Sequence, residues 1–204
     1  MLLKRNETIV FLGDSLTEAD PGYVSFVRDM LQALAPELQL TCLNRGIGGN
    51  KVPQLIERVQ RDVLAEKPDW VSISIGINDV WHGPDGVTLP DFEKGLTQLY
   101  DIIEQGSNAK ILLCTPSVIG EDLTNQENRT LQPYSDASQR IGLARGATLV
   151  PIRDAFQEAI TRAQAVTAEP VFTTDGVHLT LAGNQLFGTT WLKAVGAFDS
   201  VLPR

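Results

Sequence analysis

The chain has 204 residues, of which 43% are hydrophobic and 21% charged, and its formal net charge at pH 7 is −8. This composition is typical of a globular protein and excludes wholesale disorder, a collagen repeat and a coiled coil. The acidic balance, with Lys4-Arg5 as the longest basic run, argues against nucleic-acid binding. No apolar run approaches the ~20 residues that span a bilayer, so no membrane partner is expected.

Short apolar segments alternate with stretches of helical periodicity along the chain. Strands are predicted at residues 8–12, 38–43, 70–75, 110–114 and 147–150. Helices are predicted at residues 23–34, 52–64, 92–103, 129–145, 155–163 and 181–195. This alternation, without repeats or linkers, indicates parallel βαβ units in a single α/β domain over residues 1–204.

The cysteines and the N-terminal residues bear on location. Cys42 and Cys114 lie far apart in apolar segments, so we predict buried free thiols in a reducing, cytoplasmic compartment, with a disulfide as the alternative. Lys4-Arg5 follows only two apolar residues at the N-terminus, and no signal peptide is expected. Two histidines and two separated cysteines are too few for a usual zinc site, so no metal is expected.

In a parallel α/β sheet, reactive groups lie in the loops outside the carboxyl ends of the strands. The loops to examine are therefore residues 13–18, 44–50, 76–85, 115–125 and 173–180. Most polar and glycine-rich residues of the chain fall in these five segments.

The first of these loops carries a candidate nucleophile. It reads Gly13-Asp14-Ser15-Leu16 and follows the first predicted strand directly. A serine at a strand-to-helix turn can expose its Oγ above the sheet edge. The alternative interpretation is that Asp14 or Ser15 only caps the following helix.

The last loop carries a candidate base. Asp175 precedes His178 by three positions, so its carboxylate can hold Nδ1–H while Nε2 takes a proton from a serine. A turn aspartate beside a surface histidine is the alternative. The other histidine of the chain, His82, lies in a turn-like setting without an aspartate at that spacing.

The second and third loops carry candidate hydrogen-bond donors. Residues 44–50 contain three glycines, which can expose backbone N–H groups to a ligand, but they match neither the dinucleotide nor the P-loop pattern. An ordinary tight turn is the alternative there. Asn78 follows the most apolar strand, and its neutral amide can donate to a developing oxyanion or simply cap a turn.

Together these segments resemble the SGNH, or GDSL, hydrolase family. Gly13-Asp14-Ser15-Leu16 is similar to the first block of the family, residues 44–49 to the second, 76–79 to the third and 175–178 to the fifth. The resemblance covers nearly the whole chain. It implies a flavodoxin-like three-layer α/β/α sandwich with a five-stranded parallel sheet, the SGNH hydrolase fold.

The resemblance also implies the catalytic roles. Ser15 is the expected nucleophile, His178 the base, and Asp175 the residue that orients it. A serine alone is a weak nucleophile and needs such an activator. Acyl transfer of this kind needs no metal and no organic cofactor.

The family's oxyanion donors can be carried over by position as well. The N–H groups of Ser15 and Gly49 and the side-chain amide of Asn78 are the expected donors. Gly48 is the less favoured alternative to Gly49, because the family glycine stands five positions after the asparagine that corresponds to Asn44.

Within the family, the chain is most similar to intracellular bacterial acetylxylan esterases. The similarity lies in residues 22–24, 44–47, 68–73 and 76–81. It implies removal of acetyl groups from xylose-containing oligosaccharides and assembly into a homo-oligomer. Two departures lie near the expected pocket: the stretch between Ser15 and Tyr23 is shorter than in those enzymes, and Thr174 stands where they tend to have tryptophan.

Some assignments stay open from the sequence. Asp14 and Trp81 are the candidate substrate-binding residues, and Trp81 could stack on a sugar ring or be a packed aromatic that anchors its loop. The alternative functions are a general acyl-hydrolase for thioesters or lysophospholipids, and a non-catalytic binding module. Apolar residues near the C-terminus could form an oligomer interface or close the core: Trp191, Phe198, Val201 and Leu202.

Overall fold

The computed structural model describes residues 1–199, which form five strands and eight α-helices in largely alternating order. The strands are β1 (Thr8–Gly13), β2 (Thr41–Gly46), β3 (Trp70–Ser74), β4 (Lys110–Cys114) and β5 (Thr148–Val150). The helices are α1 (Ser15–Glu18), α2 (Tyr23–Leu34), α3 (Val52–Asp62), α4 (Ile77–Trp81), α5 (Leu89–Gly106), α6 (Gln126–Ala144), α7 (Ile152–Gln164) and α8 (Leu181–Ala194). The predicted α/β class is confirmed.

The five strands form one parallel sheet in the order β2-β1-β3-β4-β5. The chain runs from β1 to one edge of the sheet and then returns to the other side of β1. This reversal opens a crevice beside the carboxyl ends of β1 and β3, where α/β proteins of this topology bind their ligands. The strand order therefore fixes where the site must be sought.

Apolar strands place a core on each face of the sheet. In β1, Val10 and Leu12 point to one core and Ile9 and Phe11 to the other, all fully buried. A strand that is covered on both faces needs such a continuous apolar run rather than alternation. Amphipathic helices cover the two faces, so the predicted three-layer arrangement is confirmed.

Several helix and strand starts differ from those predicted, and α5 and α7 each begin three residues earlier than expected, at Leu89 and Ile152. The apolar run at residues 38–40 does not start β2, because a 3-10 turn at Pro36–Leu38 ends in Gln39 with a φ of 49°. Helix α6 starts at Gln126, three residues before the predicted start, because its polar first turn is capped by the Asn125 side chain rather than by apolar packing. Two short helices, α1 and α4, occupy segments that were predicted as loops.

The cysteines and the C-terminal residues lie partly as predicted. Cys114 is buried, Cys42 is only half-buried, and both are free thiols. Trp191 is fully buried and Phe198 packs against the same core, which favours core closure for these two side chains. Val201 and Leu202 lie outside the described residues. No helix within residues 1–199 is long and apolar enough to cross a membrane.

Candidate active site

Three side chains from the two ends of the chain meet at the crevice. Ser15 is the first residue of α1, directly after β1 and Asp14. Its Oγ lies 3.1 Å from Nε2 of His178, a residue 163 positions later in the chain. On the other side of the ring, Nδ1 of His178 lies 2.7 Å from Oδ2 of Asp175. The three residues thus form one hydrogen-bonded series.

The Asp175 carboxylate determines which ring nitrogen holds a proton. Desolvation alone would raise the pKa of Asp175, but hydrogen bonds from His178 Nδ1 and from the backbone N–H groups of Val177 and His178 lower it to about 2. An ionised carboxylate only accepts, so Nδ1 of the neutral ring carries the hydrogen. Nε2 is then the nitrogen that accepts from the Ser15 hydroxyl.

Asp175 and His178 lie in a loop between α7 and α8, not directly after a strand. We call residues 173–179 the base loop. An antiparallel bridge between Thr173 and Leu179 closes its neck, and Thr174 N–H donates to His178 O at 2.8 Å. Gly176 adopts a φ of 93°, a conformation that favours glycine, and this turn brings His178 back beside Asp175.

The glycine-rich loop runs beside Ser15. A Cβ added at Gly48 would lie 3.8 Å from the Ser15 Cβ and 2.9 Å from Glu18 Oε2. The Gly48 N–H already donates to Glu18 Oε2 at 2.9 Å, whereas the Gly49 N–H has no acceptor within residues 1–199. Of these two glycines, Gly49 is therefore the one whose N–H is available to a ligand.

Asn78 lies in the first turn of α4, just beyond the carboxyl end of β3, and is only 2% exposed. One of its two amide hydrogens is donated to the backbone oxygen of Asn50 at 3.1 Å. This contact fixes the amide plane against the glycine-rich loop. The second amide hydrogen has no acceptor in the described part of the chain.

A buried arginine that the sequence analysis did not single out supports this arrangement. The Arg58 guanidinium is 6% exposed and donates to Gly13 O, Arg45 O and Asn50 Oδ1, each at 2.8 Å. It also pairs with Asp62 at 2.9 Å, one helical turn further along α3. Arg58 thus joins the end of β1 to the loop that contacts Asn78. The only sequence signal is a charged pair on the apolar stripe of a helix.

Asp14, a candidate substrate-binding residue, is buried in the turn after β1. It is 1% exposed, and its Oδ1 accepts the Leu16 N–H at 3.0 Å, so it caps α1. Burial raises the pKa of Asp14 to about 7. The hydrogen bond from the Leu16 N–H lowers this pKa, and the nearby Asp79 carboxylate raises it further. Burial likewise raises the pKa of Asp79 to about 6. Within residues 1–199, no group of three or more His, Cys, Asp or Glu side chains could hold a metal ion.

Trp81 and His82 lie at the end of α4, on the open side of the crevice. The Trp81 side chain remains 42% exposed, and its ring meets the His178 ring edge-on, with centroids 6.2 Å apart. This residue is therefore not packed away into the core. His82 is exposed, and its ring makes no hydrogen bond within residues 1–199. The structure pairs Ser15 with His178 and not with His82.

Comparison with known proteins shows which family the chain belongs to. Residues 11–186 match the GDSL-like Lipase/Acylhydrolase family, and the chain belongs to this family. It is 34% identical to an acetylxylan esterase of Geobacillus stearothermophilus, over 96% of this chain and 97% of that protein. The predicted family is therefore confirmed.

Solved structures extend the similarity to the fold. The crystal structure of Axe2, an acetylxylan esterase from Geobacillus stearothermophilus, superposes on this chain with a TM-score of 0.87 at 32% sequence identity, and the alignment covers 100% of both chains. LAE5, an alpha/beta hydrolase enzyme from the metagenome of Lake Arreo in Spain, has a TM-score of 0.88 at 29% identity, over 97% of this chain and 98% of that one. The predicted SGNH hydrolase fold is thereby confirmed.

Proposed function

We propose that this protein is a serine esterase that removes acetyl groups from xylo-oligosaccharides or related carbohydrates. The observation that carries the proposal is the series Ser15 Oγ, His178 and Asp175, joined at 3.1 and 2.7 Å. This series activates a serine that would otherwise be a weak nucleophile. The similarity to an acetylxylan esterase over nearly the whole length of both proteins supports acetylated carbohydrate as the substrate class.

The relatives also support the roles of the three residues. Structures described as catalytic mutants of Axe2 replace a serine, an aspartate or a histidine by alanine. The replaced serine stands at position 15 of that protein, and its aspartate and histidine are three positions apart. Ser15, Asp175 and His178 have the same position and spacing here. We assign them as nucleophile, orienting acid and general base.

The first half of the reaction is acylation. Ser15 Oγ attacks the acetyl carbonyl carbon while its proton passes to Nε2 of His178, and the Asp175 carboxylate stabilises the imidazolium that forms. The carbonyl oxygen becomes an oxyanion. When the tetrahedral intermediate collapses, the carbon–oxygen bond to the sugar breaks, and His178 gives its proton to the departing sugar oxygen. The sugar leaves with a free hydroxyl group, and the acetyl group remains on Ser15.

Water completes the cycle. His178 Nε2 takes a proton from the attacking water and returns it to Ser15 Oγ as acetate leaves. In both halves the oxyanion needs donors that are already in place. We assign this role to the N–H groups of Ser15 and Gly49 and to the Asn78 amide. Glu18 supports the choice of Gly49, because it already accepts the hydrogen bond of the neighbouring N–H.

Trp81 is the side chain that we propose for sugar contact. Its exposed ring lies beside His178, so a sugar whose acetyl group reaches Ser15 would pass close to it. Aromatic faces bind the apolar faces of sugars while leaving hydroxyl groups in water. We therefore expect Trp81→Ala to raise KM for acetylated xylo-oligosaccharides more than for a small activated acetyl ester.

The test of the proposed function is acetate release from acetylated xylo-oligosaccharides, with Ser15→Ala as the control. Rapid release that disappears in the variant is expected. A series of 4-nitrophenyl esters of increasing acyl length accompanies it. A preference for long acyl chains, or for acyl thioesters, would instead favour a general acyl-hydrolase. Absence of hydrolysis on every ester would favour a non-catalytic binding module.

Three broader properties belong to the same proposal. We propose that residues 1–204 are one hydrolase domain, supported by a family match and relatives that cover nearly all of the chain. We propose a cytoplasmic location, supported by the free thiols of Cys42 and Cys114. We also propose a homo-oligomer, on the resemblance to acetylxylan esterases. Light scattering that shows a monomer at micromolar concentration would contradict the last of these.

A further inference from the structure

The carboxylate of Glu121 lies among N–H groups of the segment that leads into the base loop. Its Oε1 accepts the backbone N–H groups of Phe172 and Thr173, each at 2.7 Å, and the Thr173 hydroxyl at 3.0 Å. Its Oε2 accepts the Val171 N–H at 2.9 Å. Consecutive N–H groups that converge in this way form an anion-binding concavity, and charge-assisted bonds of this kind are strong. Within residues 1–199, no Lys or Arg side chain pairs with Glu121, so these dipoles alone balance its charge.

The other side of this contact is rigid. Glu121 belongs to the segment between β4 and α6, which the Asn128 side chain of α6 holds in place. Asn128 is 1% exposed; its Oδ1 accepts the Ile119 N–H at 3.1 Å, and its Nδ2 donates to Ile119 O, Gly120 O and Asp122 O at 2.9 to 3.1 Å. The Glu121 carboxylate therefore extends from a backbone segment that is itself fixed to α6 by a buried side chain.

The rest of the base loop is attached to the fold at other points. Apart from its own neck, it is tied to the same segment by the Gly120 N–H, which donates to Gly176 O at 2.6 Å. Its two functional side chains are far from buried, because His178 and Asp175 are 45% and 48% exposed. Between them, Val177 is 1% exposed and packs in one of the two cores, and Leu179 packs against both, so apolar contacts anchor the middle and the end of the base loop. The polar contacts of Glu121 hold the start of the loop, at Val171–Thr173.

We propose that Glu121 is a positioning residue for the esterase reaction, which holds the start of the base loop so that His178 Nε2 stays within reach of Ser15 Oγ. Glu121 touches neither the reacting atoms nor His178, and it acts through Thr173 and the loop neck. A displacement of about 1 Å at the reacting groups can lower the rate about 10²-fold, so a loosened base loop should slow the reaction. This inference rests on the proposed function.

The experiment measures hydrolysis of 4-nitrophenyl acetate by Glu121→Ala and Glu121→Gln. We expect kcat to fall about 10- to 100-fold in Glu121→Ala, with KM within about twofold of the unmodified protein, because the substrate contacts remain. Glu121→Gln keeps one acceptor oxygen and should lie between. The matched control is Glu127→Gln, which removes a nearby exposed charge that makes no side-chain hydrogen bond within residues 1–199.

Two further measurements distinguish a positioning role of Glu121 from a purely structural one. The downfield proton NMR signal of His178 Nδ1–H, which donates to Asp175, should broaden or disappear in both Glu121 variants at a temperature well below unfolding. Ile103→Val, a substitution in the buried stripe of α5 and 70 positions before the base loop, should lower the melting temperature without moving this signal or kcat.

The outcomes are separable. If Ser15→Ala retains activity, the proposed function fails, whatever Glu121 does. If Ser15→Ala is inactive while a folded Glu121→Ala keeps the kcat and the NMR signal of the unmodified protein, only the role of Glu121 is overturned. If Glu121→Ala does not fold, Glu121→Gln decides in the same way. A parallel loss of kcat and signal in Ile103→Val would also overturn the proposal.

Discussion

The two halves of the candidate active site are built differently. Ser15 and Asn78 lie in the first turns of short helices that leave the buried strands β1 and β3, and Asn78 is 2% exposed. Asp175 and His178 lie in the base loop, outside the sheet, and nearly half of each side chain is exposed. Burial and backbone pairing fix the first half, whereas the buried Val177 side chain, hydrogen bonds to the Glu121 carboxylate and a hydrogen bond from the Gly120 N–H hold the second.

The electrostatic surroundings of the two halves differ in the same way. On the nucleophile side, burial raises the pKa of Asp14 to about 7. In the base loop, desolvation of Asp175 is outweighed by hydrogen bonds from His178 and from backbone N–H groups, and its pKa is lowered to about 2. Burial thus lets Asp14 hold a proton near pH 7, whereas hydrogen bonds keep Asp175 ionised. Only the charged one can orient a histidine.

The largest effect is expected on the nucleophile side, from Ser15→Ala. Loss of the attacking oxygen should abolish ester hydrolysis, a fall in kcat of roughly 10⁶-fold for an enzyme of this type. Steady-state hydrolysis of acetyl esters measures it, and circular dichroism checks that the variant is folded. Activity equal to that of the unmodified protein would contradict the assignment of Ser15.

The next largest effect is expected from loss of the Asn78 amide, which lies just beyond β3. Asn78→Ala removes an amide whose second hydrogen is available to the oxyanion, and kcat should fall about 10²- to 10³-fold while KM changes little. Single-turnover kinetics on an acetyl ester would measure the chemical step directly. A loss of only a few fold would mean that the backbone N–H groups of Ser15 and Gly49 suffice.

The buried carboxyl of Asp14 predicts a pH dependence of stability. Below about pH 4 the folded and unfolded states both hold its proton, and between about pH 4 and pH 7 only the folded state does, so stability falls as the pH rises through this window. Asp14→Asn should remove this penalty, about 4 kcal/mol in full, at pH 8 and have little effect near pH 4.

Urea unfolding of both proteins across this range measures the slope. Asp79, with a pKa raised by burial to about 6, contributes in the same direction and remains in the variant. A variant that follows the slope of the unmodified protein would show that Asp14 does not titrate differently in the two states. Asp175 has the opposite sign, since its stabilisation is present above about pH 4 and is lost as the pH falls towards 2.

The smallest effect is expected from His82→Ala. This ring is exposed and pairs with neither Ser15 nor a carboxylate, so kcat for acetyl esters should stay within about twofold of the unmodified value. His178→Ala is the matched comparison and should lose nearly all activity. Complete loss in His82→Ala would reopen the choice of base.

The sequence predicts the nucleophile side better than the base loop. Ser15 and Asn78 follow strands that are recognisable as apolar runs, and the parallel topology then brings their loops to one edge. The spacing of Asp175 and His178 also predicts a local pair. What holds that pair in place was not predicted, because the contacts of Glu121 join two irregular segments 50 or more positions apart.

Other differences have the same origin in long-range contacts. Arg58 reads as one more charge on an amphipathic helix, and only the fold shows its guanidinium against Gly13 and Asn50. Asp14 is a different case, because its contact is local: the candidate substrate contact is buried and caps α1 through the Leu16 N–H, which was the alternative interpretation of the sequence. Residues whose role depends on a strand end or a local turn were predicted, and those that join distant loops were not.

The measurement that tests the account most directly is rapid-quench mass spectrometry of the protein during turnover of an acetylated xylo-oligosaccharide. The account predicts a transient acetyl group on the peptide that contains Ser15, formed and lost at rates consistent with steady-state acetate release, and absent in Ser15→Ala. Turnover of the same substrate with an acetyl group on another residue, or with undiminished release by Ser15→Ala, would contradict it.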